Sequence, residues 1–316
     1  MARQLRIEYE GAFYHVTSRG NQGERIFWDD KDRDGFKQIL KRTKERYGYL
    51  LHAYVLMDNH YHLLIETPHA NIKQVMQNIN TSYTVSVNKR HKRYGHLLQG
   101  RYKAFIVDKE SYLLELNRYI HLNPVRANIA QKPEDYRWSS YRAYTGPGDG
   151  ITDTEDALYA FARKRAIAVK KYKEFIKAGI GESSPLKKAV GSILGDETFR
   201  QKAIKHIKGI PDKTEIPEIK KIEAKHKIEE IIKAVAKYYG IKEEELLRRK
   251  KATESQRRKA IYLCKILSGQ TNAKIGRAFG ITLQAVTNAV RKIEKMSAED
   301  RKLNREMALI RKEMDA

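Results

Sequence analysis

Apolar and polar positions alternate over residues 12 to 20, AFYHVTSRG, and the aromatic and β-branched content predicts a strand ending at Gly20. Asp30 or Asp32 is placed to cap a helix through Tyr47 whose inner face carries Phe36, Ile39, Leu40 and Thr43, and Gly48 ends it. YLLHAYVLM, residues 49 to 57, predicts a second strand. The turn at Asp58 and Asn59 leads back into HYHLLIET, residues 60 to 67, as its antiparallel neighbour. A helical spacing of Ile72, Val75, Met76, Ile79, Tyr83 and Val87 then runs from Asn71 to about Tyr94, where Gly95 stops it. A strand at about 98 to 107 and a helix from Lys109, with Leu113, Leu116 and Ile120 on one stripe, complete the series. The order is βαββαβ followed by a helix. It suits an α+β fold with a ferredoxin-like antiparallel sheet, two main helices on one face and the other face free for a site.

Turn chemistry in RWSSYRAYTGPGDG marks the end of this first domain, residues 1–150. Residues 151–225 read as a helical, lysine-rich connector, and the two prolines of PDKTEIPEIKK read as a linker. From His226 the pattern is purely helical. Ala273, Ile275, Gly276 and Phe279 fit a short helix, Gly280 a turn, and Thr282 to Ile293 a recognition helix with Gln284, Thr287, Asn288 and Arg291 facing outward. The all-α helix-turn-helix domain is expected over 226–296 and an exposed charged helix over 297–316.

Charge narrows the partners. The chain of 316 residues has 63 Lys and Arg against 39 Asp and Glu, a formal net charge of +24, which calls for a polyanion. No apolar run approaches the length of a membrane span, and the first residues lack a signal peptide's apolar core, so nucleic acid in the cytoplasm, at the nucleoid, is the expected setting. The single cysteine, Cys264, excludes an internal disulfide framework and a cysteine zinc cluster.

Two short patterns carry chemistry. His60 and His62 stand at i and i+2 of a predicted strand, so both imidazoles point to one face roughly 6.5 to 7 Å apart along the backbone and can converge on one divalent ion. Tyr119 and Asn123 lie four residues apart in KESYLLELNRYIHLNPVRAN, one above the other on a helix that Pro124 is expected to end. With Asn123 as an oxygen ligand, the set suits Mg²⁺ or Mn²⁺ acting on a scissile phosphate attacked by the Tyr119 oxygen. Tyr112, two turns earlier on nearly the same face, is the rival nucleophile. Arg101, Lys103, Arg118 and Arg126 are candidate phosphate contacts. His121 and His91 are read as exposed or phosphate-facing.

MDNHYHLLIETP followed by RYIHLNPVRAN resembles the REP-associated tyrosine transposases, relatives of single-strand insertion-sequence transposases in the HUH endonuclease superfamily, over about residues 1 to 145. The resemblance implies that His60 and His62 are metal ligands, that Tyr119 is the nucleophile, and that Asn123 takes the place of the polar residue one turn later. KIGRAFG with TNAVRKIE resembles the DNA-binding domain of the replication initiator DnaA over about 226 to 296, with a changed turn, Ile281-Thr282-Leu283-Gln284. The function expected is a metal-dependent endonuclease and strand transferase on single-stranded hairpin or palindromic DNA, with duplex DNA as second ligand and a second copy of the chain left open as a partner. A non-catalytic DNA-binding regulator derived from a transposase is the rival expectation.

Overall fold

The computed structural model describes residues 7–207, 226–248 and 252–315, which fall into two compact units. PDKTEIPEIKK lies outside the described residues.

The first unit is built on β1 (Ala12–Arg19), α1 (Asp30–Tyr47), β2 (Leu50–Met57), β3 (His60–Thr67), α2 (Ile72–Arg90), β4 (Lys103–Val107) and α3 (Lys109–His121). The strands lie in the order β2-β3-β1-β4, each pair antiparallel, as the βαββαβ reading expects. The helix cap differs from the expectation. Asp29 caps α1 by accepting the Asp32 N–H at 3.0 Å, and Asp32 in return accepts the Trp28 N–H at 2.9 Å. Asp32 also holds Arg90 and His91 from the end of α2, so His91 is half-buried and paired with a carboxylate, where an exposed ring was expected. One sheet face is closed by α1 and α2, where Phe36 and Tyr83 pack with Phe27 and Tyr61. α3 lies against β2 and β3.

Elsewhere the first unit differs from the sequence reading in three places. α3 ends at His121, ahead of Pro124 as expected and with Asn123 just past its last turn, but a further short helix, α4 (Asn123–Arg126), follows, because a proline in a first turn forfeits no intrahelical donor. The strand expected from Leu98 begins only at Lys103, and Leu98 keeps a lone bridge to Gly20. The residues read as a connector also contribute to the first unit. After α5 (Tyr141–Thr145), α6 (Glu155–Tyr159) and α7 (Arg165–Ala178), the two-residue β5 (Ile193–Leu194) pairs parallel to β4, making the sheet mixed and five-stranded, and α8 (Glu197–Ile207) follows.

α7 is tied to α3 through buried polar atoms. His121 is fully buried, with Nδ1 2.7 Å from the Tyr172 hydroxyl and Nε2 2.7 Å from Ser140 Oγ. Ser140 Oγ also accepts the Tyr54 N–H at 2.9 Å, so the His121 ring is pinned between the Tyr172 hydroxyl and a serine fixed to β2. Burial lowers the His121 pKa to about 3, keeping the ring neutral.

The second unit is all helical: α9 (Ile228–Tyr239), α10 (Glu243–Leu247), α11 (Glu254–Leu267), α12 (Asn272–Phe279), α13 (Leu283–Glu299) and α14 (Arg301–Asp315). Its core joins Ile231, Val235, Leu263, Phe279, Val286 and Val290. The last helix is not a free charged tail, since Leu303, Met307 and Ile310 are buried in that core. Thr271 and Thr282 cap α12 and α13. Between them the backbone passes so close that a Cβ on Gly276 would sit 2.6 Å from the Ile281 carbonyl oxygen. Among the described residues no helix is long and apolar enough to cross a membrane.

Two stability outcomes follow from these contacts. Tyr172→Phe leaves the buried His121 Nδ1 without its hydroxyl partner and should cost about 1–3 kcal/mol, read as a lower urea midpoint for the transition of the first unit. Gly276→Ala forces the α12–α13 turn apart and should cost about 1–3 kcal/mol, read as faster amide exchange in α11 to α13 with no change in β1 to β4.

Candidate active site

The register of β1 with its neighbours decides which side chains share a face. His15, Thr17 and Arg19 stand opposite Leu64, His62 and His60 on β3, and Thr17 stands opposite Lys103 on β4. His60 and His62 therefore project on the face where α3 lies, with ring centroids 5.0 Å apart. Between that face and α3 sits the Tyr119 ring, edge-on to His62 at 5.9 Å and to His15 at 6.1 Å. The strand pair and the helical tyrosine expected from sequence meet.

Asn123 and Arg126 close the site from the end of α3. The Asn123 amide nitrogen donates to the Tyr119 carbonyl at 2.9 Å, leaving Oδ1 as the atom it can offer to a cation. Arg126 donates to the same carbonyl at 2.9 Å, and its guanidinium lies 5.1 Å from the Tyr119 ring centroid. Lys103 is exposed in the same cross-sheet row as His62, two strands away, at roughly 10 Å. The other candidates are placed differently. Arg118 pairs with Glu182 and stacks on Phe175 at 4.3 Å, which gives it a packing role against α7 and the turn after it. Arg101 is exposed on the loop before β4. Tyr112 lies beneath the Lys188 ammonium at 5.9 Å, near the other end of α3 from the histidines.

Three residues at this end of the sheet escaped the sequence reading. His15 is fully buried with Nε2 2.9 Å from His62 Nδ1. Arg19, exposed and opposite His60, lowers the His60 pKa, second to the effect of burial. Tyr94, 97% exposed, follows the basic string at the end of α2, on a loop whose Leu97 and Gln99 bond the backbone of Asn21 and Arg19. Alternation along β1 grouped His15 with Arg19, but only the pairing with β3 puts both beside the HxH pair.

Both HxH rings suit a divalent ion. Burial holds His62 well below its usual pKa and lowers that of His60, so each is a neutral imidazole. The Nδ1 atoms of both are engaged, His60 with Asn59 Oδ1 at 2.7 Å and His62 with His15, so the Nε2 atoms are the ones left for a ligand. Another group of ligand-type side chains, His52, Glu66 and Asp156, lies further along the sheet. There the Lys109 ammonium sits 2.7 Å from Glu66 and 2.6 Å from Asp156, already filling the place of a cation. Glu66 is held to about 2, first by its bond from His52 and then by Lys109.

In the second unit Gln284, Asn288 and Arg291 are exposed on α13. Thr287 is half-buried and accepts a bond from Asn272 at 3.0 Å, which joins the two helices of the motif. Asn288 also lines an open cleft of about 310 Å³ with Arg258 and Lys292.

Comparison with known proteins follows the same division. Residues 9–123 match the IS200-like transposase family, and residues 228–293 match the helix-turn-helix of bacterial DnaA proteins. The chromosomal replication initiator DnaA of Bartonella quintana (strain Toulouse) is 38% identical over 89 residues, covering 27% of this chain and 18% of the relative. That of Caulobacter vibrioides (strain NA1000 / CB15N) is 35% identical over 101 residues, covering 31% of this chain and 21% of the relative. The chain thus spans about a fifth of the length of these curated relatives. A solved REP-associated tyrosine transposase bound to a REP hairpin is similar at a TM-score of 0.41 and 16% identity, covering 48% of this chain and 94% of that one. Residues 9–123 are a domain of the IS200-like transposase family, and residues 228–293 a helix-turn-helix domain of the bacterial DnaA type.

Proposed function

We propose that the protein is a metal-dependent endonuclease and strand transferase on single-stranded DNA, acting at hairpin or palindromic repeats, with its helix-turn-helix unit holding duplex DNA. The observation that carries this reading is the meeting of Tyr119 with His62, next to His60, on one sheet face. His60 and His62 through Nε2, and Asn123 through Oδ1, would hold Mg²⁺ or Mn²⁺, which supplies Lewis-acid polarisation of the scissile phosphate. The Tyr119 oxygen forms a bond to phosphorus, the bond from phosphorus to the 3′ oxygen breaks, and the phenol's proton is balanced by the one the departing 3′-hydroxyl gains. Arg126, over the Tyr119 ring and bound to its carbonyl, would bring a positive charge to the phosphate held beside the tyrosine. One ester is exchanged for another, so the 3′-hydroxyl of a second strand can reverse the step and rejoin DNA. Lys103 and Arg19 border the path of the strand, and Tyr94 offers a face on which an unpaired base can stack.

The rival reading, a regulator that binds without cutting, draws on the second unit, whose exposed recognition helix needs no catalysis elsewhere. The two are separated by a covalent product. The full chain with Mn²⁺ and a labelled single-stranded hairpin from its genomic flanks should give a denaturant-stable protein–DNA adduct that chelator abolishes and Tyr119→Phe removes. An adduct persisting in Tyr119→Phe would move the nucleophile to another tyrosine, and tight binding with no adduct would favour the regulator. For the second unit, Asn288→Ala should weaken duplex binding by about 1–3 kcal/mol in a titration at fixed salt, while adduct formation on the isolated hairpin stays unchanged.

A further inference from the structure

His15 lies at the centre of the middle strand, fully buried, with its Nε2 2.9 Å from His62 Nδ1. We propose that His15 is a positioning residue: it accepts the Nδ1 proton of His62 and so fixes that ring in the tautomer whose Nε2 lone pair faces the site and can bind a divalent ion. This inference rests on the reading of His60 and His62 as ligands.

The two rings are stacked at 5.0 Å with an interplanar angle of 28°, and one proton lies between His15 Nε2 and His62 Nδ1. If His15 donated it, His62 would carry its own proton on Nε2 and have no lone pair to give. If His62 donates, Nε2 is free, and the hydrogen bond holds the ring at a fixed angle beside Tyr119. His60 follows the same plan with a different partner. Asn59 donates its amide nitrogen to the Gly23 carbonyl at 3.1 Å, so Oδ1 is the atom turned to His60, and an amide oxygen can only accept. His60 Nδ1 is therefore the donor and its Nε2 is free. An amide sets one imidazole and a second imidazole sets the other, and both present the same atom.

With Nε2 accepting, His15 carries its own proton on Nδ1, which is buried and has no hydrogen-bond partner among the described residues, a cost that the position bears. An apolar side chain of similar size would fill this position without stranding a polar atom. What the histidine adds at this position is its bond to His62.

The test uses the full chain and Mn²⁺ alone, titrated calorimetrically into wild type, His15→Leu and His15→Gln. It is joined by ¹⁵N-histidine NMR of the metal-free wild type, which reads each ring's tautomer. Mn²⁺ affinity should fall about 10- to 100-fold in His15→Leu. It should stay near wild type in His15→Gln, whose amide oxygen can replace the acceptor. His62 in the wild type should be the Nδ1–H form. Equal Mn²⁺ affinity in a folded His15→Leu, or an Nε2–H tautomer of His62 in the wild type, overturns the role of His15. If His15→Leu does not fold, the wild-type tautomer decides. A wild-type chain that binds no Mn²⁺ overturns the ligand reading itself, a failure distinguishable from the first because it precedes any substitution.

Discussion

The pairing of β1 between β3 and β4 is the constraint on which the site depends. Antiparallel register places Thr17 opposite both His62 and Lys103, and His15 two residues away on the same face. A one-residue slip would turn His15, Thr17 and Arg19 to the opposite face, against α1 and α2, and leave the HxH pair without its neighbours. Register is held by burial on both faces, since Tyr14 and Val16 alternate with Phe13 and His15 and all four are buried. The chemistry is as well placed as the sheet is packed.

The helix that carries Tyr119 is held from behind. His121, two residues on, is anchored by Tyr172 and Ser140, and Arg118 reaches Glu182 and Phe175. A Cβ on Gly179 would strike the Arg118 side chain at 2.3 Å, so that crossing is close. These contacts come from residues 140 to 182, after the end of the strand-rich portion. They fix the angle of α3 over the sheet, and an error of about 1 Å in a reacting group is enough to lower a rate severely.

In both units ion pairs take up some of the positive charge and leave the rest exposed. In the first, several cations are bound internally: Arg33 with Asp58, Arg90 with Asp29 and Asp32, and Lys109 with Glu66 and Asp156. Lys103, Arg101 and Arg19 are exposed at the end of the sheet that carries His60. In the second, Arg291 and Lys292 stand exposed on α13 beside Asn288. Net charge pointed to a polyanion, but which cations are available to one follows from the ion pairs.

By itself the sequence determined the order of strands and helices, the two motifs of the first unit and the helix-turn-helix of the second. Those features rest on local periodicity, turn residues and side-chain spacing, which act over a few residues. It placed His60 with His62 and Tyr119 with Asn123 because period two and period 3.6 each put such pairs on one face. Tertiary structure alone decided that the two pairs meet, that His15 joins them, that His121 is buried and that His91 pairs with Asp32. It also brought 151–207 into the first unit and buried Leu303, Met307 and Ile310. Each of these depends on contacts between residues far apart in the chain, where register and packing select the partner and local pattern has no information to offer.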